Sequence, residues 1–226
     1  MNPFKYAIWQ DFCKCYQVAT EGVSLFQAQG DRVRVVQVGK TVKRLVLERA
    51  PEMEEAVIRE VGLVIDDYAA QRDQFDGLIY IMYKLSGDEI VPLYIGKSEK
   101  FGKNGGNLSA NIKNIDRNKD KFCRWGYNYA YHVGDLSAIV CLGHREEKKT
   151  RKYTKWADAL FEKYPSDSPK LRFPLFFWIK AWEKGSVGIW KEFGETSLTF
   201  LEYLLIGVAS DLYPDDLLNE EGVNRV

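Results

Sequence analysis

The chain has little of several things that would fix its class at once. Among 226 residues no apolar run is long enough to cross a bilayer. Met1 to Tyr16 is polar and aromatic, without the basic and apolar sections of a secretory signal. Both absences point to a cytoplasmic protein with no membrane partner. Only four cysteines are present, Cys13, Cys15, Cys123 and Cys141, and in a reducing compartment they stay thiols rather than forming a disulfide framework. Cys13 and Cys15 with Cys141 and His144 could supply four zinc ligands. The two halves lie far apart, however, and one-residue spacing within a pair is unusual for zinc, so ordinary thiols are the plainer reading. Net charge is zero, which removes the whole-molecule signature of a nucleic-acid binder. Nothing repeats, and no segment is of low complexity.

What is present is organised around residues 77 to 98. Gly77 to Tyr83 and Val91 to Ser98 are rich in β-branched and aromatic residues, and Ser86-Gly87-Asp88 between them has turn chemistry. The spacing predicts a hairpin in which Leu78, Tyr80 and Met82 share one face and Ile79, Ile81 and Tyr83 the other. Pro92 cannot donate to a ladder, which places the start of the second strand at a sheet edge or loop margin. Two strands alone are marginal, so helices or a third strand must back them. The length suits one elaborated domain or two small ones.

Before the hairpin, Phe4, Ile8, Phe12 and Cys15 recur at helical intervals, and Arg32 to Leu47 alternates around Gly39-Lys40 as a small hairpin. Pro51-Glu52-Met53-Glu54-Glu55 opens a helix that runs to Ala70: an early proline, acids in the first turn, then Ala56, Val57, Val61 and Val64 as apolar positions. Residues 1–75 thus read as a helix–hairpin–helix extension without a catalytic constellation. After the hairpin, Lys97 to Gly106 is a loop rich in glycine and lysine, but its Gly-Lys-Ser lacks the spacing of a P-loop, which removes nucleotide hydrolysis. From Lys97 to Arg124 there are eight basic residues against three acidic, +5, either a local phosphate-facing surface or a solvated helix face. Asn107 to Ile115 is expected as a short helix, and Phe122 to His132 is dense in aromatics, which suits stacking or a packed core equally. Leu136 to Leu142 reads as a strand or a buried helical turn. A charged run from Arg145 to Lys155 then leads into a helix through Trp156, Leu160 and Phe161. Phe173 to Trp182 reads as a strand, and Thr196 as the cap of a helix from Ser197 to about Asp211.

On that last helix Leu198, Leu201, Leu205, Val208 and Leu212 form the core stripe. Glu202 lies beside it, with Leu198, Ile206 and Ala209 as longitudinal neighbours, where a carboxylate costs desolvation unless a cation or donor meets it. It is either an edge residue paired with a lysine or a metal ligand facing the hairpin. Asn219 follows in a polar tail. Gly77-Leu78-Ile79-Tyr80, Tyr94-Ile95-Gly96, the helical Glu202 and Asn219, in that order, resemble the GIY-YIG nuclease family, with one residue inserted in the first triplet. The resemblance covers Gly77 to Asn219. It implies an α+β fold: a small antiparallel β-sheet, the hairpin plus a third strand, flanked by helices, here preceded by an N-terminal α/β extension. The nuclease-like domain would be 76–226, and because its core is long for that family, residues 140–172 look like an insertion.

The resemblance further implies a metal-dependent endonuclease acting on DNA, branched or site-specific, with one Mg²⁺ or Mn²⁺ on Glu202. Tyr80 would take the proton of the attacking water, and Tyr94 would orient water or phosphate. Lys97 and an arginine would make the phenol more acidic, its reference pKa being about 10. Either Arg117 or Arg124 would clamp the scissile phosphate, Arg124 being favoured for its place beside Trp125. His132 would assist, as in some similar restriction enzymes, and Asn219 would hold Glu202 or the first strand. A double-strand cut at a palindrome would call for a homodimer. The alternatives are a catalytically silent DNA-binding module and a protein-interaction module that retains the fold.

Overall fold

The computed structural model describes residues 2–39, 43–102, 105–109, 111–113 and 132–224. In chain order the elements are α1 (Pro3–Cys15), α2 (Val18–Glu21), β1 (Val23–Ser24), β2 (Ala28–Gln29), β3 (Arg32–Val33), β4 (Val35–Val38), β5 (Arg44–Leu47) and α3 (Pro51–Ala69). There follow β6 (Phe75–Ser86), β7 (Glu89–Glu99), α4 (Val133–Val140), α5 (Arg151–Leu160), β8 (Phe176–Glu183) and α6 (Leu198–Leu212). The fold is mixed α+β. Among the described residues no helix is long and apolar enough to cross a membrane. Internal contacts divide the chain into two units: residues 1–23, 56–113 and 176–226 form the first, and residues 24–55 and 114–175 the second.

The first unit is built on a four-stranded sheet of order β1-β8-β6-β7. β6 pairs antiparallel with both β7 and β8. The expected hairpin is present but longer than its apolar core, because the polar ends keep pairing until Gly87 and Asp88 turn the chain. Pro92 lies on the edge strand β7, at the point where the register slips between Met82 and Tyr83. Both faces of β6 are buried. Ile79, Ile81 and Tyr83, with Ile95, Trp178 and Trp182, meet the stripe Leu198, Leu201, Leu205 of α6 and Trp9 and Phe12 of α1 in one core. Each large side chain removed from water there stabilises the unit by roughly 1.5–3 kcal/mol. Asn2 caps α1 by accepting from the Phe4 amide at 3.1 Å, with Pro3 in the first turn.

Two polar devices, one buried and one partly buried, pin the start of β6. Asp67, at the end of α3, accepts from Lys100 Nζ at 2.6 Å and from the amides of Gln74 and Phe75 at 3.1 and 3.2 Å. Neither side chain of the pair reaches solvent to any useful extent. Asp76 Oδ2 accepts from the Leu198 amide at 3.3 Å, so an aspartate from the sheet satisfies the start of α6. Thr196 does not cap that helix: Ser197 is the N-cap and makes no side-chain cap bond, while Thr196 Oγ1 donates to Gly194 O at 3.1 Å. Between these devices Gly77 has φ 144°, and a Cβ there would overlap Ser98 O and crowd Leu198 and Lys100 N.

In the second unit β4 and β5 form the expected small hairpin, Val35 opposite Leu47 through Val38 opposite Arg44. The apolar stretch around Leu136 is helical: α4 is buried along its whole length, and Ser137 Oγ accepts from the Leu47 amide at 3.0 Å. The charged run enters α5 as expected, and Phe161 at its end packs on Phe26 with ring centroids 6.2 Å apart. The region Val187 to Phe193 is irregular, with a short 3₁₀ turn at Lys191–Phe193. Of the expected helix 107–115, the described residues 111–113 make a turn with Lys113 N bonded to Ser109 O at 2.8 Å.

Candidate active site

β7 is an edge strand, and its outward backbone groups must be met by something other than another strand. They are met by side chains and a single tail. Leu93 O accepts from the Leu218 amide at 2.7 Å. Two residues on, Asn219 Oδ1 accepts from the Ile95 amide at 3.0 Å and Asn219 Nδ2 donates to Ile95 O at 2.9 Å, so one side-chain amide imitates a strand partner. Two residues further, the Lys97 amide lowers the pKa of Glu202 by hydrogen bonding to its carboxylate. The period-two row 93, 95, 97 is thus clothed by the C-terminal tail and then by α6. Asn219 supports the second strand of the hairpin rather than the first, and it does not act on Glu202.

Tyr80 and Tyr94 project from the sheet face opposite to Ile79 and Ile95, and their ring centroids are 6.2 Å apart. Phe177 of β8 backs Tyr80 at 5.7 Å. Gly96 is the cross-strand partner of Tyr80, and the phenol lies over its Cα: a Cβ would come within 2.5 Å of Tyr80 Cζ and Oη. Burial pushes the Tyr94 phenol up to about 12, the carboxylates of Glu202 and Glu221 push in the same direction, and a hydrogen bond from the Tyr80 hydroxyl offsets part of this. Tyr94 therefore keeps its proton and is a donor at neutral pH. The two phenols are in contact, and the charge of Glu202, on the helix that packs on the other face of the sheet, reaches Tyr94.

Glu202 is half-buried. Burial raises its pKa above the ordinary carboxylate value, and Glu99 and Glu221 add to that, against the Lys97 ammonium and amide, which lower it. Lys97 Nζ is itself bound to the Glu99 carboxylate and donates to Thr199 Oγ1 at 2.8 Å, and Thr199 Oγ1 donates to Glu99 Oε1 at 3.1 Å. This closed ring ties the edge strand to the first turn of α6. It holds the Glu99 carboxyl below its usual range, chiefly through the hydrogen bond from Lys97. The lysine expected to acidify a phenol is thus committed to a carboxylate.

Burial, Glu99 and Glu221 disfavour the charged form of Glu202 and Lys97 favours it, a balance that a bound divalent cation would tip toward the carboxylate. Among the described residues no group of three or more His, Cys, Asp or Glu side chains is gathered as a ready-made cage. Mg²⁺ does not need one, because it keeps several waters and commonly binds through one or two carboxylates plus substrate phosphate.

His132 belongs to the second unit, where Nδ1 lies 2.6 Å from the Tyr153 hydroxyl and the ring 5.1 Å from Trp156. Burial pushes its pKa down to about 3, with Lys152 acting in the same direction, so it is a neutral imidazole. Arg117, Arg124 and the aromatic run before His132 lie outside the described residues. Cys13 and Cys141 are buried in different units, and burial raises both thiols.

Four participants were missed in the sequence. Glu99 and Lys97 share a face by strand alternation, and Thr199 precedes Glu202 by three residues on a helix, so both carried a spacing signal. Phe177 carried only β propensity, and Glu221 carried none. Comparison of the chain with family models, curated proteins and solved structures found no match.

Proposed function

We propose that the chain is a divalent-metal-dependent endonuclease that hydrolyses phosphodiester bonds of DNA. One observation supports this reading: the Tyr80 hydroxyl bonds to Tyr94, and the charge of Glu202, on a helix remote in sequence, reaches Tyr94. Glu202 would hold Mg²⁺ or Mn²⁺, which when bound supplies Lewis-acid stabilisation of a phosphoryl oxygen and a more acidic water. The chain's own groups do the rest. Tyr80, its own proton first passed to solvent, would take a proton from the attacking water, whose oxygen bonds to phosphorus as the bond to the 3′ oxygen breaks and that oxygen takes up a proton from solvent. Tyr94, protonated, orients water or phosphate. Lys97 would exchange Glu99 for the scissile phosphate, and the reading calls for a bidentate arginine, Arg124 or Arg117, both outside the described residues. Asn219 fixes the strand on which Tyr94 stands.

A plasmid-nicking assay tests the proposal. Mg²⁺-dependent nicking is expected, lost in EDTA and in Glu202→Gln, with DNA binding retained; Tyr80→Phe should lower the rate by roughly 10²–10⁴-fold, the usual worth of a positioned proton-transfer group. Wild-type rates in Glu202→Gln would remove the metal role. Binding without nicking under every divalent ion would leave a DNA-binding module that keeps the fold.

A further inference from the structure

The zero net charge of the chain conceals a division between its units. The second unit has nineteen basic residues against thirteen acidic, a net of +6, and the first, which carries the tyrosine–glutamate site, has the mirror value of −6. Within the second unit the positive charge is concentrated. Five basic residues and no acidic one occupy positions 148–155. A separate stretch, Lys43 and Arg44 at the start of β5, is folded against the segment leading into that run. The Leu45 amide donates to Leu142 O at 3.2 Å, and His144 Nε2 lies 2.7 Å from Leu45 O. A Cβ on Gly143 would be 3.1 Å from Lys43 O and 3.2 Å from Arg44 Cα, so the two segments are in contact there.

The field of these cations is felt by the histidines among them. His144 is shifted down by burial first, and Arg44 and Lys149 then act in the same direction. The two acids beside the run do not cancel it: Glu146 pairs with Lys149 at 2.5 Å and Glu147 with Arg145 at 3.6 Å, both as exposed pairs. The run also breaks a local rule. Arg151 and Lys152 open α5, whose first turn has no acid and whose N-cap, Thr150, makes no side-chain bond. Cations there add to the positive end of the helix dipole instead of opposing it. An anion brought from outside would offset this unfavourable placement.

We propose that the second unit grips the phosphate backbone of nucleic acid through Lys43, Arg44, Lys148, Lys149, Arg151 and Lys155. This rests on the proposed function only for the identity of the substrate; the surface itself is argued from charge and geometry. The acidic first unit then contributes the chemistry and little of the affinity, and binding is dominated by counterion release and indifferent to base sequence.

The test uses the full chain in EDTA, so that binding is read without cleavage. Anisotropy of a labelled DNA duplex is followed across a salt series for wild type and for Lys148→Gln, Lys149→Gln, Arg151→Gln and Lys155→Gln combined. A matched control carries glutamine at Lys14, Lys180, Lys184 and Lys191 of the first unit. The combined variant should lose about one unit of log–log salt slope per contact, some three to four in all, and more than about tenfold in affinity at 0.1 M salt. The control should lose little. Should the combined variant fold poorly, acetylation of wild-type Lys148, Lys149 and Lys155 is measured with and without DNA, and protection is expected. No binding by wild type, an unchanged slope, equal loss in the control, or absent protection overturns the proposal. Binding lost in the variant while wild type never nicks would keep this inference and sink only the nuclease reading.

Discussion

Replacing Gly96 by alanine would place one methyl group against the hydroxyl of Tyr80. The added carbon would lie 2.5 Å from Tyr80 Cζ and Oη and 3.0 Å from Tyr94 Cε1. Carbon contacts settle near 3.5–4.0 Å, so the Tyr80 ring must withdraw by about 1 Å. It is backed by Phe177 and buried, so it cannot withdraw freely. Overpacking of this kind costs roughly 1–3 kcal/mol, less the roughly 0.5–1 kcal/mol that alanine returns by restricting the unfolded chain, since Gly96 has no left-handed φ. For a chain of this size that is a fall in Tm of at most about 10 °C. An ångström of misplacement at a reacting group can cost about a hundredfold in rate. Nicking in Gly96→Ala should therefore fall about a hundredfold while the protein stays folded at 25 °C. Gly22→Ala is the matched control, because its Cβ would overlap the Tyr83 hydroxyl on the opposite face of the sheet. It should lower Tm comparably and leave the nicking rate of the folded fraction intact. Wild-type nicking in Gly96→Ala, or equal loss in both variants, would refute the role of the Tyr80 phenol.

Asp67→Asn leaves Lys100 buried beside Arg72 O with Asp73 only at 4.0 Å, and should cost about 3–5 kcal/mol in urea unfolding; adding Lys100→Met should recover part of it. Asn219→Ala strips the Ile95 amide and carbonyl of their partners, which should cost about 2 kcal/mol and speed hydrogen exchange at Ile95 by about thirtyfold. His132, held by burial near 3 against an ordinary 6.5, stays neutral in the folded chain while the unfolded chain takes up a proton below about pH 6.5. Stability is fully present above that value and should fall by about 1.4 kcal/mol per pH unit between 6.5 and 3. His132→Asn, which tolerates the positive φ of 69°, should flatten that slope in urea titrations at pH 7 and 4.5.

The parts of this molecule that announce themselves in sequence are those set by short-range pattern. The stripe Leu198, Leu201, Leu205 on α6 and the alternation of β6 need only the periods of helix and strand. The edge position of β7 was visible in Pro92, which cannot donate to a ladder. What sequence did not reveal depends on partners distant along the chain. The cap of α6 comes from Asp76, 122 residues away, so the local candidate Thr196 was the natural but mistaken choice. Asn219 was legible as a polar residue in a tail, yet which strand it served depended on which backbone groups lay open. Lys97 was legible as a cation beside a tyrosine, but its capture by Glu99 and Thr199 required β7 and α6 to be packed together first. The opposite charges of the two units are in the sequence as numbers, but each unit is assembled from separated segments, and their sum concealed the difference.

The side-chain covering of β7 has a bearing on how site variants behave. Asn219 and Glu202 do for this strand what a neighbouring strand would do, so a substitution made there to probe chemistry also bares hydrogen-bonding groups that can recruit a second molecule edge to edge. Variants at 202 and 219 should accordingly become prone to concentration-dependent self-association, and their kinetics should be compared at matched oligomeric state.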